Sequence, residues 1–387
     1  MTNKKVNLTY LSIVIALVYF VVILETVMIS PVANQLSEFL NVEPKNIIRI
    51  TIGFNLSGFL APFLGFNADK YGTKKVMQIT LILFILGTGL TSTATSLFQF
   101  TAYRFITGIG FIGISSLVFE YTSHFIEYND RGRFAGIIKA AFAAAVFVSP
   151  FYAVFMAKNF AVTRMYFFVS VAALILFFLF LPLPYVGAKE HNGKMIKSIA
   201  RIFKDWNIIK YLMIIATFSF AGSLYFAYLP FSLDSRGLNE IEIRNVYVFI
   251  SIATIVASII ILKFSDRLGK LRLIVIGACF ALVTLLFLNS PNVILHSTLA
   301  VLFVLGLDLC WGLFYTVGAE LARKDKAILL SLFGFTTALF NIIGALFGPT
   351  IYEIGGFKGN VIVMIVFMAI GTAILFNFNS VNKDALN

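Results

Sequence analysis

Twelve long runs of apolar residues constrain this chain more than any other feature of its sequence. A transmembrane helix needs about 20 consecutive, mostly apolar residues. Such runs occupy approximately 9–30, 46–66, 76–95, 97–122, 134–158, 164–186, 208–232, 244–265, 272–290, 293–320, 327–352 and 359–380. Hydrophobic residues fill 59% of the 387 positions and charged residues only 12%, against about 45–50% and 25% in soluble proteins. The sequence therefore predicts an all-α membrane protein with twelve transmembrane helices.

The basic residues lie mostly on one side of this predicted topology. The 30 Lys and Arg outnumber the 18 Asp and Glu, a surplus that in a soluble protein would suggest a nucleic-acid partner. With the N-terminus inside, 21 cations fall on the cytoplasmic side and seven on the other, and Arg104 and Lys139 remain within spans. This bias follows the positive-inside rule. We expect a multi-pass protein of the cell membrane with both termini cytoplasmic and no nucleic-acid partner.

A polar connection divides the spans into two sets of six. We predict an N-terminal bundle over 1–186, a cytoplasmic linker over 187–207 and a C-terminal bundle over 208–387; residues 197–206 fit either an amphipathic surface helix or a solvated linker. Similar residues recur in the two halves at offsets of about 200 positions: Asp69 and Asp266, Glu120 and Glu320, and Pro150 and Pro349. Parallel six-helix repeats are typical of transporters that rock two bundles around a central site.

The loop after the second run carries a specific motif. It reads Gly65-Phe-Asn-Ala-Asp69-Lys70-Tyr-Gly72-Thr-Lys74-Lys75, in which Gly72 allows a turn with positive φ. The loop resembles motif A of the major facilitator superfamily at every specified position. The second half keeps Asp266, Arg267 and Gly269, but Leu262 and Leu271 depart from the pattern. The resemblance implies a major facilitator fold in which these loops latch the halves together in one state. A purely topogenic basic loop is the alternative.

Two charged residues lie within the predicted membrane at similar depth. Glu25 is about 22 Å above the cytoplasmic end of its run and Arg104 about 10 Å below the outer end, at 1.5 Å per residue in a core about 30 Å thick. Charges in a bilayer usually face the bundle interior and pair. We therefore predict that Glu25 and Arg104 form the working centre; a static structural ion pair is the alternative.

Two further motifs resemble those of drug/proton antiporters of the same superfamily. Arg104 to Gly110, which includes Gly108, is similar to motif B with Thr107 in place of a common Gln. Residues 136–153, which include Pro150, resemble motif C with Ala or Ser at several glycine positions. The resemblance implies that Glu25 binds the proton and that Arg104 tunes it. A small-residue packing face is the alternative for motif C and for the stretch before Pro349.

Other polar and aromatic residues at midspan positions are candidates for the transport path. Asp308 is a candidate for a second proton or substrate site. The candidate substrate cavity comprises Asn55, Lys139, Tyr225, Tyr228, Trp311, Tyr315 and Asn341, although Lys139 can also snorkel to the inner interface. Conformational roles are expected for the motif A residues of both halves, for Gly108 and for Pro150 and Pro349.

The expected function is proton-coupled efflux of small amphipathic or lipophilic compounds by alternating access. The alternative is uptake or export of a metabolite such as a sugar, nucleoside, carboxylate or lipid by the same fold. A lipid-modifying enzyme is disfavoured because three scattered His and two Cys in apolar runs offer no metal or nucleophile cluster. A signalling receptor is also disfavoured, because the sequence shows no regulatory domain. We expect no cofactor and no metal. The expected partners are a small-molecule substrate, protons and the lipid bilayer, with the chain acting as a monomer.

Overall fold

The computed structural model of the chain describes residues 7–125, 131–186, 203–321 and 326–378. Every regular element in these ranges is a helix, which confirms the all-α prediction. The first half contains α1 (Leu8–Val27), α2 (Ala33–Phe39), α3 (Ile52–Leu56), α4 (Ala61–Tyr71), α5 (Thr73–Thr91), α6 (Leu97–Ser123), α7 (Arg131–Asn159) and α8 (Arg164–Phe180). Short 3₁₀ segments at Pro44–Thr51 and Ser57–Leu60 flank α3, so the second predicted span is an irregular helix rather than a continuous one.

The second half consists of longer helices. They are α9 (Trp206–Asp234), α10 (Glu240–Leu268), α11 (Lys270–Phe287), α12 (Val293–Leu321) and α13 (Lys326–Phe376). Polar caps fix several of the helix starts. In α10, for example, the Asn239 side chain accepts from the backbone of Glu242, whose carboxylate accepts from the Asn239 backbone, so two otherwise unpaired N–H groups are satisfied.

The number of apolar helices agrees with twelve spans. Ten helical segments of the described residues are long and apolar enough to cross a membrane, and the apolar α8, with 17 residues, is slightly shorter. The longest segment, Leu329–Phe376, has 48 residues and would be about 72 Å long, more than twice the thickness of a hydrocarbon core. It bends at Gly356, where φ is 57° and ψ −152°, a conformation that suits glycine. This segment therefore contains two spans.

Contacts divide the chain into two compact units. The first comprises Met1–Val42 and Ile50–Asn192, and the second comprises Glu43–Arg49 and Gly193–Asn387. Most of the predicted linker, over 187–202, lies outside the described residues. The short segment Glu43–Arg49 belongs with the second unit because Tyr228 donates to the Lys45 carbonyl (2.6 Å) and Lys45 pairs with Glu353 (3.1 Å).

Glycines let neighbouring helices pack closely in the second unit. A Cβ atom added to Gly277 of α11 would lie 2.8 Å from the Gly306 carbonyl oxygen, and one added to Gly306 of α12 would lie 2.7 Å from the Gly277 carbonyl oxygen. Both backbones thus approach to a distance that no side chain permits. Small residues at such crossings are typical of membrane helices, where backbone approach replaces the hydrophobic driving force.

Lys74 holds the end of α8. Its buried Nζ donates to the carbonyl oxygens of Leu181 (2.7 Å) and Leu183, just beyond the last helical residue, Phe180. The final carbonyls of a helix have no partner within the helix, and a cation there also complements the helix dipole. Gly72 precedes Lys74 with φ of 91°, which confirms the predicted turn. Lys74 therefore has a structural role inside the first unit, beyond its positive charge.

Replacing Gly277 by Leu should destabilise the second unit. The added side chain must displace the α12 backbone, and such overpacking typically lowers the free energy of unfolding by about 1–3 kcal/mol. Thermal unfolding of the purified protein in detergent measures the effect. Gly334→Leu is the control, because a Cβ at Gly334 meets no atom within 4 Å. Equal unfolding temperatures for the two variants would contradict the close crossing.

Replacing Lys74 by Met should also lower the unfolding temperature. The variant keeps the apolar stem but removes two charge-assisted hydrogen bonds, whose loss we expect to lower the free energy of unfolding by about 2 kcal/mol. Lys75→Met, at an exposed neighbouring position, removes the same charge without those bonds. Identical melting of the two variants would show that Lys74 contributes only to topology.

Candidate functional site

The centre of the candidate site is a buried ion pair in the first unit. Arg104 Nη1 on α6 donates to Glu25 Oε1 on α1. The Glu25 side chain is 0% exposed and the Arg104 side chain 2%. The depth argument from the sequence is therefore confirmed for the pairing itself, while a role in proton coupling stays a prediction.

Two aromatic rings lie against the guanidinium. The Arg104 Cζ atom is 4.6 Å from the ring centroid of Phe54 on α3 and 5.7 Å from that of Tyr166 on α8. The negative face of an aromatic ring attracts a cation, and more strongly where water is excluded. The Phe54 ring also packs on Phe111 (5.1 Å), and the Tyr166 ring on Phe100 (5.7 Å). Arg104 thus has three neighbours of two kinds: one carboxylate and two aromatic rings.

Glycines explain why α3 lies close enough for Phe54 to reach Arg104. A Cβ at Gly108 of α6 would lie 2.2 Å from Ser57 Oγ and 2.7 Å from the Phe54 carbonyl oxygen, and one at Gly53 would lie 1.8 Å from the Thr101 carbonyl oxygen. Side chains at either position would force the helices apart. In this structure, the motif B glycine at 108 therefore serves the approach of Phe54 to the guanidinium.

Three buried polar atoms of this cluster make no hydrogen bond of ordinary geometry with the described residues. They are Glu25 Oε2, Arg104 Nε and the Tyr166 hydroxyl. Buried polar atoms without a partner are uncommon and call for an explanation. Chemically, the cluster can hold either an ionised or a protonated Glu25, and the total charge on Glu25 and Arg104 is then zero or +1.

Asp308, the acid predicted in the second half, has a partner that the sequence did not indicate. Thr254 Oγ1 on α10 lies 2.5 Å from Asp308 Oδ2 on α12, and also 3.2 Å from the Ile250 carbonyl oxygen. The Thr254 hydroxyl has a single proton for two acceptors. Asp308 is partly exposed, and its pairing with Thr254 depends on helix rotation, which hydropathy alone does not reveal.

Two of the cavity candidates differ from expectation. Tyr225 and Tyr228 are both 0% exposed. Their hydroxyls donate to backbone carbonyls, Tyr225 to Ala300 (2.8 Å) and Tyr228 to Lys45 (2.6 Å). In this structure they are packing residues of the second unit and line no open surface, because their polar ends find backbone partners.

The other cavity candidates are partly or fully exposed. Trp311 and Tyr315 on α12 pack around the Phe333 ring, at 5.7 Å and 4.1 Å between ring centroids. Asn341 on α13 is half-buried and Lys139 on α7 is exposed. Asn55 donates to the Thr51 carbonyl of its own helical segment (3.0 Å).

The motif A residues lie mostly in the ends of consecutive helices, so the loop expected from the sequence is helical except at Gly72 and Gly269. Lys70, Lys75 and Arg267 are exposed, and a Cβ at Gly65 would meet nothing within 4 Å. Gly269 separates α10 from α11 as Gly72 separates α4 from α5. Pro150 and Pro349 lie inside α7 and α13. The side chains of Asp69, Asp266, Glu120 and Glu320 lie outside the described residues.

Phe54 and Tyr166 were not predicted from the sequence. Phe is frequent in this chain, with 43 residues, so one more Phe in an apolar run carries no signal. Tyr166 stands two residues after the start of α8, where a tyrosine is typical of the membrane interface. Only the coordinates show that its ring lies beside Arg104.

The chain resembles known membrane transporters in sequence and in fold. A family model described as Major Facilitator Superfamily matches residues 15–327. The "Putative niacin/nicotinamide transporter NiaP" of Bacillus subtilis (strain 168) is 24% identical over an alignment of 310 residues, which covers 77% of this chain and 75% of that relative.

Solved structures extend the likeness over nearly the whole chain. A crystal structure of a D-xylose-proton symporter matches with a TM-score of 0.77 at 16% identity, over 96% of this chain and 98% of that one. The nucleoside transporter NupG matches with a TM-score of 0.74 at 15% identity, over 95% and 98%. At these identities the likeness shows the fold alone. Because the family model covers most of the sequence, the chain belongs to the Major Facilitator Superfamily and is a multi-pass membrane transporter of small molecules, not an enzyme.

Proposed function

We propose that this transporter takes up a small water-soluble metabolite by proton-coupled alternating access. The observation that carries the proposal is the buried pair of Glu25 and Arg104, which gives the first unit a proton-dependent charge. The choice of a metabolite draws on the relative from B. subtilis, whose name assigns it niacin or nicotinamide. Efflux of lipophilic compounds, the first expectation from the sequence, has weaker support because it rests on motifs B and C, in which several positions are substituted.

Uptake fixes the direction of the proton. If the inward proton gradient drives accumulation, proton and metabolite must enter together, so the proton binds Glu25 from the outer side and leaves on the inner side. Protonation removes the negative charge of Glu25 and leaves the charge of Arg104. A change in buried charge is a strong bias between conformations, because the environment solvates charge poorly.

The remaining residues have proposed roles around this step. The distribution of cations supports a cell-membrane protein with both termini in the cytoplasm. Asp308, with Thr254, is proposed as a proton or substrate contact in the second unit, and Trp311, Tyr315 and Asn341 as wall residues. The motif A loops and the helix bends at Pro150 and Pro349 are proposed to serve the conformational change. We propose that one chain suffices for transport.

The decisive experiment is transport by the purified protein in liposomes. Labelled niacin, nicotinamide, a nucleoside and xylose are tested with an inward proton gradient of one pH unit, which sustains about tenfold accumulation at one proton per substrate. Glu25→Gln should reduce this accumulation to the level of simple equilibration, while exchange of labelled for unlabelled substrate continues. Glutamine keeps the shape of the side chain but binds no proton in this pH range.

Glu38→Gln is the matched control, because it makes the same change at an exposed acid of the first unit. It should accumulate substrate as the unaltered protein does. Proton-driven accumulation that survives Glu25→Gln would refute the coupling role. Proton-driven efflux of a lipophilic cation such as ethidium, with no accumulation of any of the four metabolites, would restore the drug/proton antiporter interpretation.

A further inference from the structure

The hydroxyl of Tyr166 differs in its hydrogen bonding from the hydroxyls of other buried or half-buried tyrosines whose partners are seen. Five of these donate their hydroxyl to a backbone carbonyl oxygen at 2.6–2.9 Å: Tyr121, Tyr152, Tyr211, Tyr225 and Tyr228. The Tyr166 hydroxyl is fully buried and makes no hydrogen bond of ordinary geometry with the described residues, although it lies within polar interaction range of Arg104. A buried tyrosine hydroxyl usually finds a hydrogen-bond partner. The Tyr166 hydroxyl is therefore available for a hydrogen bond that forms in another state of the protein.

Tyr166 interacts with the guanidinium group of Arg104. Its ring lies 5.7 Å from the guanidinium carbon, and the two side chains interact electrostatically. Arg104 Nε is itself buried without a hydrogen-bond acceptor among the described residues. The cluster therefore holds a donor without an acceptor beside a hydroxyl that can accept.

This arrangement matters when Glu25 takes up a proton. The proton comes from the aqueous phase and binds a carboxylate oxygen of Glu25, while Arg104 keeps all its protons. The guanidinium then loses its counter-charge while it remains buried. A hydroxyl oxygen can accept a hydrogen bond from a guanidinium N–H, and the rings of Phe54 and Tyr166 continue to stabilise the cation.

We propose that Tyr166 is a positioning residue for the proton-coupling pair: the Tyr166 hydroxyl accepts a hydrogen bond from Arg104 when Glu25 is protonated. The inference rests on the proposed function and deepens it. Tyr166 lowers the free energy of the protonated state relative to the ion-paired state, and so raises the apparent proton affinity of Glu25. Phe54 acts in the same direction, because its ring attracts the guanidinium more strongly once the carboxylate no longer offsets the positive charge.

Other ionisable side chains on the surrounding elements must be considered. Apart from those at helix ends, they are Tyr19 on α1, Tyr103 on α6, and Lys139 and Tyr152 on α7; α3 carries none. Of these, Tyr152 donates to the Met165 carbonyl oxygen at 2.6 Å. The Tyr152 hydroxyl is therefore satisfied, and its acceptor, Met165, directly precedes Tyr166 in the sequence. Tyr152 provides a matched control in the same unit.

The test follows the protonation of Glu25 directly and needs no substrate. Infrared spectra of the purified protein in lipid are recorded across pH, and the carbonyl stretch of protonated Glu25 is identified by its absence in Glu25→Gln. Tyr166→Phe removes only the hydroxyl. We expect the midpoint of this band to move to lower pH by about one unit, a tenfold loss of proton affinity, because a hydrogen bond to a charged group is lost.

Tyr152→Phe should leave the midpoint unchanged, and Phe54→Leu should move it in the same direction as Tyr166→Phe. Thermal unfolding shows whether each variant is folded, and Phe54→Leu keeps the test available if Tyr166→Phe is not. Unchanged midpoints in Tyr166→Phe and Phe54→Leu, an equal shift in Tyr152→Phe, or no titrating band from Glu25 would each overturn the inference. The transport assay with Glu25→Gln judges the proposed function separately, so the two can fail independently.

Discussion

A buried guanidinium must be solvated by the protein itself, and the organisation of the first unit follows from that requirement. Arg104 is held by the Glu25 carboxylate and by the rings of Phe54 and Tyr166, which come from three different helices. Taking a charge out of water costs several kcal/mol even after relaxation, so each of these helices must be placed accurately. The site is therefore a consequence of helix packing as much as of its charged residues.

Close helix packing in turn depends on glycine. Gly53 and Gly108 let α3 approach α6 until Phe54 reaches the guanidinium, and Gly277 and Gly306 allow a similar approach between α11 and α12 in the second unit. In a bilayer, helices gain little from burying apolar surface, because lipid is as apolar as their side chains. Backbone contact and internal hydrogen bonds, such as those from Lys74 to the end of α8, supply the specificity instead.

The sequence was sufficient for the features that depend on position along a helix. Run length gave the spans, the cation bias gave an expected topology, and counting residues at 1.5 Å each placed Glu25 and Arg104 at one depth. It was insufficient for features that depend on rotation about a helix axis. Tyr166 and Thr254 became visible as partners only with coordinates, and Tyr225 and Tyr228 turned from wall candidates into packing residues because their hydroxyls point at backbone carbonyls. The depth of a residue in the membrane follows from its position along its own helix, whereas the direction that its side chain faces depends on the neighbouring helices.

The same distinction explains how motifs that led towards drug efflux are compatible with the proposed uptake of a metabolite. Motif B reports an arginine and the glycines that let helices approach it, and in the proposed mechanism these serve proton coupling whatever the cargo is. Cargo selection instead requires polar groups matched to one ligand, since a site built to hydrogen-bond its substrate rejects analogues without the matching group. Glu25 and Arg104 pair with each other and are both buried. In the proposed mechanism the coupling pair and the cargo contacts are therefore separate sets of residues, and a motif that identifies the first carries no information about the second.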